Sequence, residues 1–303
     1  MAYSRPAELP PPDNMRGARW MVASTLCFAI SILAIKKIGT EMPPAMIVFF
    51  RCAVGFVIVL PFIFKHGLGI YRTKRPVAHI VRLICSIVSM IAAYYAYTHL
   101  ELATAVSLTF TRPLFMIVLA ILILGERVRW RRGLATIAGF IGVLIVMGPS
   151  DLVFHPAALA ALLSAAAVSG AIAIIRQQAA VEGSLTLIVW FMTGTAVLTL
   201  FPALVDWQTP QGLQWGYLIF IGFASSIGQF CLIKAFTYGE ATVMNPIDYG
   251  QLILAALFGF LIFGEVPTIW TITGAIIIVS STLYILIREA RVSNKPPPPL
   301  TQE

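Results

Sequence analysis

The chain has 303 residues, of which 59% are apolar and only 11% charged, with a mean hydropathy of +0.88. An ordinary globular domain carries about 25% charged residues and four cysteines in 303 residues make no disulfide-rich scaffold, so soluble, disordered and disulfide-rich classes are excluded. The net charge of +8, from 21 Lys+Arg against 13 Asp+Glu, does not call for nucleic acid, because most cations sit in short polar segments beside apolar runs.

Residues 1–15 and 291–303 are polar and proline-containing and read as disordered tails. Between them lie apolar runs at 17–36, 45–64, 77–98, 102–123, 133–148, 156–175, 185–203, 214–237, 241–263 and 268–287. Each approaches the roughly 20 residues a helix needs to cross the hydrocarbon core. The first lacks a small-residue cleavage exit and reads as an uncleaved span. Cys27, Cys52, Cys85 and Cys231 fall inside runs without C-x-x-C spacing, so they read as packing residues; neither a metal nor a cofactor is expected.

Orientation follows from counting cations. With a cytoplasmic N-terminus the inner segments hold 15 Lys and Arg and the outer ones only Lys36 and Lys37. Both termini are then expected in the cytoplasm, with the chain in a cell inner membrane in contact with lipid.

Residues 96–126 align with 235–265 at a constant offset, matching Ala96/Ala235, Thr98/Thr237, Glu101/Glu240, Leu122/Leu261, Gly125/Gly264 and Glu126/Glu265. Five runs per copy is an odd number, so the second copy must be upside down relative to the first. The expected fold is therefore all-α and integral to the membrane: ten transmembrane helices as two inverted five-helix repeats, 16–148 and 149–290. Inverted repeats are common in secondary transporters, with substrate near the midplane.

Ala96–Ala105, the in-span Pro113, Leu124–Glu126, Arg132-Gly133 and Ala138–Gly142 resemble an EamA domain, the repeating unit of the drug/metabolite transporter superfamily. Lys234-Ala235-Phe236, Glu240-Ala241, Pro246, Gly264-Glu265 and Gly274 resemble a second. The resemblance implies a central cavity between two five-helix halves and a small-molecule metabolite as partner. Lys-Ala-Phe and Pro246-x-x-Tyr249 are similar to bacterial S-adenosylmethionine uptake carriers, while amino-acid and vitamin carriers stay open. Leu252 stands opposite Pro113 and Pro246 falls earlier, so the two helix breaks are expected at unequal positions.

Polar groups within lipid are costly and need a partner or a wet cavity. Asp248 is the carboxylate placed well inside a run, with Asn245, Pro246, Tyr249 and Gln251 around it. Arg112, counterpart of Gln251 in the repeat, is the expected partner of Asp248, as a gate or a permanent brace. A proton or a counter-substrate is the further partner such a carboxylate suits. Arg51 reads as an anion contact or a snorkelling cation. Tyr94, Trp190 and Gln229 complete the candidate substrate-binding set, and spans 2, 3, 4, 7, 8 and 9 are expected to wall the cavity. Arg82 and Lys234 read as interface anchors, and Glu126 and Glu265 as helix-end carboxylates bonding backbone or loop cations.

The alternative is a membrane-embedded enzyme acting on a lipid-soluble substrate. His66, His79, His99 and His155 are scattered, and neither H-E-x-x-H nor G-x-S-x-G occurs. No phosphate-binding G-x-x-x-x-G-K-[ST] loop occurs either, so active transport would be secondary. No catalytic residue is expected.

Overall fold

Lipid offers an amide no partner outside its own segment, so each apolar run must satisfy its backbone internally as helix. The computed structural model describes residues 13–124, 130–147, 155–179, 182–239, 244 and 247–293. The two tails' remaining residues, Asn245, Pro246, Glu126 and Glu240 lie outside the described residues. In chain order the helices are α1 (Asn14–Ile38), α2 (Pro44–His66), α3 (Pro76–His99), α4 (Leu102–Thr109), α5 (Arg112–Leu124), α6 (Trp130–Met147), α7 (Pro156–Ala179), α8 (Ser184–Val205), α9 (Leu213–Tyr238), α10 (Gly250–Phe263) and α11 (Ile269–Ser293). Among the described residues, seven stretches are long and apolar enough to cross a membrane, and three shorter apolar helices accompany them. Phe62, Phe64, Ile84, Leu144, Phe201 and Phe260 point outward, a surface that lipid tolerates and water does not.

Local chemistry sets the helix ends. The Asp13 carboxylate accepts the Arg16 N–H at 2.9 Å and caps α1. Pro44 and Pro76 start α2 and α3, where a missing N–H costs nothing. Gly264, at φ +67°, closes α10: its own N–H reaches Phe260 O at 3.1 Å and Glu265 N–H reaches Gly259 O at 3.0 Å. That reversal turns Glu265 back across the bundle.

The fourth run is interrupted at Phe110 and Thr111, a turn just ahead of Pro113. In the second copy Ile247 and Asp248 are helical and Tyr249 is a turn. Tyr249 is the alignment counterpart of Phe110, while the earlier break expected at Pro246 lies outside the described residues. The two rings meet, with centroids 4.9 Å apart.

Packing between the halves is reciprocal. α1 lies against α9 and α3 against α7, while α2 faces α8 and α6 faces α11. Contacts run antiparallel: Ser24 Oγ donates to Gly228 O at 2.9 Å and Ser31 pairs with Ser225 at 2.7 Å, later residues of α1 meeting earlier ones of α9. The equivalent α3–α7 bond, Ser89 Oγ to Ser164 O, is 3.0 Å. Small residues permit the approach. A Cβ on Gly274 would stand 2.6 Å from Gly142 O, and one on Gly17 would stand 2.9 Å from Gly239 Cα.

Candidate functional site

A cavity of about 180 Å³ lies where α2, α3, α7, α8 and α9 converge. Arg51 and Cys52 of α2, Ser86 and Ser89 of α3 and Val168 of α7 line it. The opposite wall is Phe191 and Thr195 of α8 with Ser225, Ser226 and Gln229 of α9. Both halves of the chain therefore contribute, and hydroxyls face a single cation. Arg51 touches the Met90 sulfur, and among the described residues no carboxylate pairs with it.

Of the residues singled out from the sequence, Arg51 and Gln229 meet in this cavity. Tyr94 is buried beside it, its ring 6.3 Å from that of Tyr97. Spans 4 and 9 do not line it: Phe110 and Tyr249 pack together with Leu102, Val106 and Ala255, and Tyr249 faces a second cavity of about 670 Å³ between α4, α10 and α11, with Ser107 and Thr271. Their place in the wall is taken by α7, whose alanines Ala157, Ala161 and Ala165 are fully buried and bring it close. Arg112 and Asp248 come together apart from that wall, Nη2 to Oδ2 at 3.9 Å, with the Arg112 guanidinium over the Phe110 ring at 4.9 Å. Gln251 is buried on α10. Trp190 stands away from the cavity, donating its indole N–H to Tyr71 O at 3.0 Å and stacking on His79 with centroids 4.8 Å apart.

Two polar clusters sit one at each end of the bundle; Glu265 bonds a backbone N–H and a cation as expected, whereas His79–Glu182 escaped the sequence reading. At the end where α1 starts, His79 Nε2 meets Glu182 Oε2 at 2.7 Å, and Glu182 Oε1 accepts from the Thr73 hydroxyl and, at 3.2 Å, from the Lys74 N–H. Burial alone would raise the Glu182 pKa, but the bonds from Thr73, His79 and Lys74 outweigh it and hold the carboxyl below the usual range. Arg82 is no interface anchor. It is buried, donating to Gln178 Oε1 at 3.3 Å and Leu187 O at 2.8 Å, with Phe191 5.2 Å away. At the other end Lys36 pairs with Glu265 and donates to Leu100 O at 2.7 Å, while Glu265 Oε2 accepts the Leu102 N–H at 2.9 Å. A helix-end Gly-Glu and a charge bias hinted at these places, but not at their partners.

The model of the EamA-like transporter family matches residues 15–148 and 155–287, one copy on each half. The chain belongs to this family. It is 30% identical over 281 residues to an S-adenosylmethionine uptake transporter of Rickettsia felis, covering 93% of this chain and 96% of that one. It is 29% identical over 283 residues to a riboflavin transporter of Rhizobium johnstonii, covering 92% and 94%. A solved chain with 18% identity superposes with a TM-score of 0.59 over 93% of this chain and 98% of its own length, which shows a common fold. Family and apolar helices together make this a multi-pass membrane protein and a small-metabolite transporter.

Proposed function

We propose that this chain is a secondary carrier, not an enzyme, that takes up S-adenosylmethionine or a similar zwitterionic metabolite by alternating access. It spans the cell inner membrane ten times, as two inverted five-helix repeats bounded near 16–148 and 149–290, with both termini cytoplasmic. The antiparallel, reciprocal contacts between halves support the inversion. Fifteen cations against two support the orientation.

One observation carries the reading: both repeats wall a largely apolar cavity that holds several hydroxyls and Arg51, which has no carboxylate partner among the described residues. An intramembrane cation is expensive, and a substrate carboxylate supplies its counter-charge. Met90, Phe191 and Met192 give the adjoining wall an apolar, polarisable character suited to a sulfonium or a heteroaromatic ring. At about 180 Å³ the cavity is smaller than the 300–1,000 Å³ of ordinary ligand pockets. It holds an amino-acid head, and the helices must part to admit a nucleoside. Asp248, paired to Arg112, offers a second charge for a proton or a cationic group to claim.

Purified protein in liposomes tests this. Labelled S-adenosylmethionine should enter with saturable kinetics, unchanged chemically and without competition from riboflavin. Absence of saturable uptake, or appearance of a product, overturns the reading.

A further inference from the structure

The two polar clusters at the ends of the bundle each tie the first repeat to the second. His79 and Thr73 belong to the first repeat and Glu182 lies between α7 and α8 of the second. Lys36 ends α1 and Glu265 follows α10. They sit on opposite sides of the Arg51 cavity, since α3 starts where α1 starts and Lys36 lies at the far end of α1. Any movement that opens the cavity to one side must separate the pair on that side.

The pairs are not equally satisfied. Every polar atom described for the Lys36–Glu265 cluster has a partner: the ammonium meets a carboxylate and a carbonyl, and each carboxylate oxygen has a donor. In the opposite cluster His79 Nδ1, Arg82 Nε and Gln178 Nε2 are buried and have no hydrogen-bond partner among the described residues. All three residues are at most 3% exposed. Buried polar groups left unpaired are costly, and water reaching them would relieve that cost. Parting this cluster therefore costs less than parting the other, whose described polar atoms are all paired.

We propose that His79–Glu182 and Lys36–Glu265 are the cytoplasmic and external gates of this carrier, both pairs formed in this structure, and that the cytoplasmic gate is the weaker. The assignment rests on the carrier reading and on its orientation. Arg82 belongs to the weak gate as a positioning residue. Its contact with Phe191 joins the gate to the cavity wall, so binding at the wall is felt at the latch.

Cys52 lines the cavity and serves as a reporter. In a variant with Cys27, Cys85 and Cys231 replaced by alanine, a membrane-impermeant maleimide is applied to one face of oriented vesicles at a time. Unmodified gates should give faster labelling from the cytoplasmic face than from the external one. Glu182→Gln should raise the cytoplasmic rate about tenfold or more, the scale of a lost charged hydrogen bond, and lower the external rate. Glu265→Gln should do the reverse. Thr73→Ala and Lys36→Met, changes to the partner residues of the same clusters, should move the rates the same way and stand in should either glutamine variant fail to fold. Rates unchanged in all four, or raised from one face by both sets, overturn the proposal. Labelling needs no substrate, so failure here with intact uptake sinks the gates alone, whereas absent uptake sinks the carrier reading.

Discussion

Arg51→Ala separates a substrate contact from a structural cation. A charge near the bilayer centre costs about 2.5–3.5 kcal/mol on the insertion scale, and Arg51 has no carboxylate among the described residues to offset it. If a substrate carboxylate supplies the missing partner, the charged hydrogen bond is worth about 1.5–3 kcal/mol, and its loss weakens binding about 10- to 150-fold. Arg51→Lys keeps the charge but loses the planar fork, so its defect should be intermediate. Thermal stability without substrate should hold or rise, because the alanine removes an uncompensated charge. The assay is calorimetric titration of S-adenosylmethionine and of its decarboxylated analogue into wild type and variant. Wild type should lose affinity for the analogue by about the same factor, and Arg51→Ala should bind the two alike, the signature of a direct pair. Equal affinity of wild type for both ligands, or wild-type affinity in the alanine variant, refutes the reasoning.

Reversing either charge of the Arg112–Asp248 pair should impair initial uptake, and reversing both should restore part of it; a double variant no better than the singles excludes a functional pair. Gly274→Ala forces a Cβ to within 2.6 Å of Gly142 O and of Val146 N. Overpacking costs about 1–3 kcal/mol, so the melting temperature should drop, whereas Gly133→Ala, with nothing near its Cβ, should hold or raise it slightly. The Glu182 carboxyl is held low in the folded state by Thr73, His79 and Lys74. Its stabilisation is therefore complete above the unfolded glutamate value, about 4.3, and is lost as pH falls through the lower folded value. Melting followed across that acidic window should decline in wild type and decline less in Glu182→Gln.

Much of the fold was legible because the bilayer imposes one length on every span. The ten apolar runs correspond to the helices within a few residues at their described ends, and Pro113 sits beside the turn at Phe110 and Thr111. The proximity of Arg112 and Asp248 was also readable, since the repeat sets Arg112 opposite Gln251, three residues from Asp248. The cavity wall was not. Whether Phe110 and Tyr249 face a ligand or one another depends on the crossing of α4 and α10, which the spacing of residues does not encode. Arg82 was misplaced for a related reason: its partners are an amide and a carbonyl, Gln178 and Leu187, which carry no charge signature. Lys36 and Glu265 each resembled an ordinary helix-end charge, and only the fold puts them together across 229 residues of chain.

Counterflow tests the central claim most directly. Proteoliposomes loaded with unlabelled S-adenosylmethionine and diluted into a trace of labelled compound should accumulate label transiently above equilibrium, because one cavity serves both faces in turn. Simple equilibration of label, with no overshoot at any internal concentration, would contradict a carrier whose two repeats alternately expose a single site.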